Sequence, residues 1–125
     1  MKVIDASVVV ELIAFDLAPE AIGAEILAAP HLLDSEVLHS LRRLVRTRLL
    51  SDAAATRALE TFEALAIERH PAAPLRRRVW ELRHNMTAYD ATYVALAEGL
   101  HANSLLTTDE RLSRVPGLRC RVEVV

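Results

Sequence analysis

The stretch VIDASVVVELIAF, residues 3–15, changes its period part-way along. Val3 and Ile4 form an apolar pair that ends at Asp5. From Ala6 onward, Val8, Leu12 and Phe15 recur at helical spacing, with Val9 and Ile13 beside them. We read a short strand, an acid, then a helix, despite the β-branched run, which lowers helix propensity. Where such a unit recurs, the chain is α/β, and the rest of the sequence repeats it. His31–Leu33 is a strand candidate before DSEVLHSLRRLVRTRLL (34–50), whose Val37, Leu38, Leu41, Leu44, Val45 and Leu49 mark a long amphipathic helix. Leu65–Glu68, NSLLT (103–107) and Cys120–Val125 are further strand candidates. Helices are expected at 19–28 with Pro19 in the first turn and Pro30 as its stop, and at 51–65 with Ser51 as N-cap. Others are expected at 75–85 and 87–100, with a short one at 109–115. Pro71 with Pro74, and Pro116 with Gly117, mark turns. Short apolar strands alternating with helices predict an α/β layer structure with a mainly parallel sheet.

The 125 residues suit a single domain spanning 1–125, and a composition 52% hydrophobic and 26% charged can build a sizeable core. The formal net charge of -2 excludes a global attraction to nucleic acid or an anionic membrane. Lys2 is the only Lys, so the basic surface is almost entirely Arg. Cys120 stands alone, which excludes an intrachain disulfide and points to a reducing, cytoplasmic setting. The charge at position 5 argues against a signal peptide, and no apolar run reaches the ~18 residues of a membrane span.

Four acids fall at strand ends or helix starts: Asp5, Glu36, Asp90 and Asp109. In a parallel sheet those positions share one edge, where ligands of such sheets bind. Taken singly, each reads as helix capping or as complement to the helix dipole. Thr87 with Asp90 and Thr107 with Glu110 match capping boxes, and Asp34 matches an N-cap. Capping does not explain an acid ending the first strand. Nor does it explain Asp90 on the apolar stripe of TAYDATYVALAEGL (87–100), where Tyr89 and Tyr93 read as core. Clustered carboxylates repel, and some would protonate without a cation. Oxygen-only ligands suit Mg²⁺ or Mn²⁺, which acidify water and neutralise phosphoryl oxygens. The set therefore suggests phosphate or phosphodiester chemistry.

VIDASVVVEL, PHLLDSEVLHSLRRLV, YDATYVALAE and LLTTDERL, in that order, resemble PIN-domain ribonucleases, and specifically the VapC toxins of bacterial type II toxin–antitoxin systems. The resemblance implies a three-layer α/β/α sandwich around a parallel sheet of about five strands. It implies a metal-dependent endoribonuclease with Asp5, Glu36, Asp90 and Asp109 as catalytic acids. Asp5, Asp90 and Asp109 would hold Mg²⁺ (or Mn²⁺), and Glu36 would complete the cluster. Ser7 and Thr107 would hydrogen-bond the ligand carboxylates. The implied partners are RNA, with transfer and ribosomal RNA among family targets, a VapB-type antitoxin, and a second copy in a homodimer. The match is loose from Leu50 to Arg83.

Arg42 and Arg43 follow Glu36 on its helix and are candidates for RNA contact, as is His39 one turn beyond Glu36. Arg76–Arg78 read as a solvated face and Trp80 as core. No HxxxH or HxH spacing supports a zinc site. A phosphatase of the haloacid-dehalogenase type would want Asp-x-Asp where this chain has DAS, and a receiver-like module would want a Lys near its acids. A non-catalytic protein-binding module, with the acids as caps, is the other alternative.

Overall fold

The computed structural model describes residues 1–125. Five strands form one all-parallel sheet: β1 (Lys2–Ile4), β2 (Leu27–Pro30), β3 (Ile67–His70), β4 (Ser104–Thr107) and β5 (Val122–Val124). Their spatial order is β3-β2-β1-β4-β5. Strand order reverses between β1 and β4, so a crevice opens at their carboxyl ends. Register there pairs Val3 with Leu105 and Ile4 with Leu106, which sets Asp5 beside the end of β4.

The helices are α1 (Ala6–Ala14), α2 (Leu32–Arg46), α3 (Asp52–Ala64), α4 (Arg76–Glu81) and α5 (Ala88–Gly99). α1, α2 and α3 pack on one another, while α4 packs on α5, which lies along β1, β2 and β4. The result is the α/β/α arrangement expected. Val3, Ile4, Leu105 and Leu106 are wholly buried in the central strands, with Val8 and Val9 of α1 and Val94 of α5 packed into the same core. That burial is why a Val-rich run stays helical: each buried Val contributes about 1.5–3 kcal/mol, more than its propensity costs. No helix is long and apolar enough to cross a membrane.

Several local expectations are corrected. Residues 19–28 hold only a 3₁₀ turn at Pro19–Ala21, closed by Gly23 at φ 79°, and then β2. The strand expected at His31–Leu33 is instead the start of α2, with His31 as N-cap. Leu27–Pro30 is buried throughout and sits between β1 and β3. A four-residue apolar run carries no period of its own, so the neighbouring strands decided its state. Pro30 ends β2, and the next N–H, that of His31, bonds the His70 carbonyl at 3.0 Å. The long helix stops at Arg46, with Arg48 at φ 61° beyond it. Residues 109–115 give only a 3₁₀ turn, Leu112–Arg114, and 75–85 only the short α4 after another such turn.

Candidate active site

Asp5 is the N-cap of α1: its carboxylate accepts from the Val8 N–H at 3.2 Å and from the Ser7 hydroxyl at 2.5 Å. Capping therefore does act at this residue, contrary to expectation. The Ser7 oxygen in turn accepts from the Thr108 N–H at 3.1 Å, tying the start of α1 to the end of β4. Thr107 is fully buried, and its hydroxyl accepts from the Asp109 N–H at 3.1 Å. It orients the acid's own turn rather than capping a helix. Thr87 caps α5 by accepting from the Asp90 N–H at 3.2 Å, as its spacing foretold. Asp34 is no cap: Arg69 of β3 grips it through Nε at 2.8 Å and a terminal nitrogen at 3.0 Å.

Asp5, Glu36, Asp90 and Asp109 all line one cavity of about 420 Å³ at the carboxyl edge of β1 and β4, with Ser7 and Thr107 in its wall. Burial pushes the Asp5 carboxyl up, though its Ser7 hydrogen bond pulls the other way. Burial does the same to Glu36, and the charges of Asp90 and Asp5 add to it. Asp90 is exposed at the rim, not on a buried stripe, because the buried part of α5 begins at Ala91. Lost hydration toward the cavity still raises its carboxyl, and the Asp109 charge raises it further. Only Asp109 is pushed down, chiefly by the hydrogen-bonding Arg111 guanidinium.

Two buried atoms here, Glu36 Oε1 and the Tyr93 hydroxyl, make no hydrogen bond of ordinary geometry, though the hydroxyl is near enough to the carboxylate to pull the Glu36 carboxyl down against its burial. Burial and the Glu36 carboxylate hold that hydroxyl firmly protonated. As the side chains stand, no three carboxylates are close enough together to hold a metal ion. The donor set nevertheless fits a hard divalent cation. It is all oxygen, it includes a buried orphan, and three of its carboxyls are held above their usual range, a cost that a cation removes.

Of the expected substrate residues, Arg43 lines the cavity and joins none of the chain's ion pairs. Arg42 is exposed and lies outside it. His39 lies in an adjoining groove with Glu36, Ser40 and Tyr89. Tyr89 is 62% exposed and Trp80 67% exposed, so neither is core; the Arg83 guanidinium sits 4.4 Å over the Trp80 ring. Arg78 is bound to Glu98 at 2.6 Å rather than solvated. The sequence reading missed Glu11 and Phe15 of the cavity wall, although both follow Ser7 at four-residue steps on one helix face. It also missed Arg111, for which no periodicity gives a signal.

Residues 2–118 match the PIN domain. The chain belongs to the PIN-domain family. Within that family it is of the VapC type. It is 45% identical over 126 residues to the VapC ribonuclease Mb0985 of Mycobacterium bovis, with 100% of this chain and 98% of that protein covered. It is 43% identical over 129 residues to the ribonuclease VapC1 of Mycobacterium tuberculosis, covering 98% and 96%. The crystal structure of PAE2754 from Pyrobaculum aerophilum superposes with a TM-score of 0.73 at 27% identity, covering 94% of this VapC-type chain and 81% of that chain.

Proposed function

We propose that this VapC-type chain, a single domain over 1–125, is a metal-dependent endoribonuclease and the toxin of a toxin–antitoxin pair. The observation that carries the reading is electrostatic. Asp5, Glu36 and Asp90 meet in one cavity, all with raised carboxyls, and none of the three forms an ion pair within the chain. The full-length relatives named ribonucleases support RNA as the substrate class.

Asp5, Asp90 and Asp109 are the proposed ligands of Mg²⁺ or Mn²⁺, with Glu36 completing the set. A divalent cation there supplies charge neutralisation at a phosphoryl oxygen and acidification of water. The chain's own part is positional. Ser7 holds the Asp5 carboxylate from one side and the Thr108 backbone from the other, so the first acid and the last turn share one frame. Thr107 aims the Asp109 turn. Glu36, with its bare Oε1, takes the proton of the attacking water or orients that water. Arg43 is free to grip an RNA phosphate at the cavity wall, and His39 contacts the strand in the next groove. A VapB-type antitoxin, a homodimer, a transfer or ribosomal RNA target and a cytoplasmic setting complete the proposal. The capping alternative accounts for Asp5 on α1 but not for Glu36, which caps no helix.

The deciding experiment is cleavage of total RNA by purified protein in Mg²⁺ or Mn²⁺, with EDTA as the control. Metal-dependent cutting that disappears in Asp5→Asn and Asp90→Asn is expected. No cutting in any metal, together with no Mn²⁺ binding by calorimetry, would leave the acids as caps.

A further inference from the structure

Asp109 differs from the other three acids in having both carboxylate oxygens occupied by one residue. Its Oδ1 accepts from the Arg111 backbone N–H at 2.9 Å and from Arg111 Nε at 3.1 Å, and its Oδ2 accepts from a terminal guanidinium nitrogen at 3.0 Å. A side-on fork of this kind competes with a cation for the same carboxylate oxygens. Yet the clasp is weak. The Arg111 side chain is 88% exposed, and exposed pairs of this kind contribute little. Once the guanidinium leaves, the backbone N–H still holds Oδ1, so Asp109 stays aimed while Oδ2 becomes free. The freed guanidinium remains at the mouth, in a groove it shares with Thr87, Asp90 and Asp109.

We infer that Arg111 exchanges partners: it holds Asp109 in the metal-free protein, yields it to the divalent cation, and then binds the RNA phosphate at the cavity mouth. This rests on the metal-dependent cleavage proposed above. Arg111 is thereby a competitor of the cation and a helper of the substrate, two roles with opposite signatures in one variant.

Calorimetric titration with Mn²⁺, without RNA, tests the first role. Arg111→Gln is expected to bind Mn²⁺ about two- to fivefold more tightly than the natural chain. Arg114→Gln, which removes a nearby charge that pairs with Glu110 and not with Asp109, is expected to change nothing. The gain should vanish when Arg111→Gln is placed on Asp109→Asn. Equal or weaker Mn²⁺ binding by Arg111→Gln overturns the exchange, as does an equal gain in Arg114→Gln. Cleavage of total RNA at saturating Mn²⁺ tests the second role: Arg111→Gln should cut about tenfold more slowly, through a raised KM. An unchanged KM overturns the phosphate contact. Absence of Mn²⁺ binding in both the natural chain and Arg111→Gln would overturn the metal reading itself. That result differs from equal binding by the two, which overturns only the exchange.

Discussion

The central strands carry an acid cluster at each end, and the two ends are built differently. At the amino ends, Glu25 accepts from the Met1 amino group at 3.0 Å, and Lys2 Nζ lies 3.8 Å from Glu25 and 3.4 Å from Glu123. Ser104 adds a hydrogen bond to Glu123 at 3.0 Å. At the carboxyl ends, Asp5, Glu36 and Asp90 form no ion pair within the chain, and Arg43 stands in the same cavity without pairing. Acids paired within the chain hold the sheet together. Acids left unpaired and partly dehydrated cost stability, and a fold keeps them where something from outside supplies the charge.

The sharpest way to break this contrast is to remove one charge from each end. Asp90→Asn should lower RNA cleavage at least about a hundredfold while leaving the melting temperature unchanged or slightly higher. Arg43→Gln should lower cleavage about tenfold, against little change for Arg42→Gln, which lies outside the cavity; equal losses would deny Arg43 its special place. At the other end, Lys2→Met should leave cleavage intact. It should lower the melting temperature by a few degrees, since Glu25 and Glu123 lose the cation between them.

The smallest effect is on the pH dependence of the metal-free protein. Asp5, Glu36 and Asp90 bind protons more tightly folded than unfolded. Their contribution to stability is therefore full below ordinary carboxylate values and is lost as pH rises through their raised values. Glu25, Asp34 and Asp109 act in the opposite sense. The N-terminal amine, Arg69 and Arg111 respectively depress them, so their stability is lost only as pH falls through those lowered values. Between neutrality and about pH 4 the raised group dominates, and the melting temperature should climb by a few degrees on acidification. Glu36→Gln should flatten that climb, and saturating Mn²⁺ at neutral pH should reproduce it.

How much was readable beforehand follows from the range of each interaction. The unit at residues 3–15 declared itself because a strand, an acid and a helical period sit within thirteen consecutive residues; at 103–109 the strand and its acid were legible, but the helix expected after them is a 3₁₀ turn. Ser51 and Thr87 were legible as caps because the N–H each accepts from lies three residues away. Leu27–Pro30 was not legible, because nothing local tells a buried strand from a helical turn. Asp34 read as a cap because its partner, Arg69, is distant in sequence and no local pattern pairs the two.

By itself, then, the sequence determined the α/β alternation and placed four acids at the ends of its elements, since both are properties of neighbours along the chain. Only the tertiary structure decided that Tyr89 and Trp80 face outward, that Arg43 and not Arg42 lines the acid cavity, that Glu36 keeps a buried oxygen without an ordinary hydrogen bond, and that Arg111 clasps Asp109. Each of those depends on what stands opposite a side chain in space, and periodicity along one element carries no information about the element packed against it.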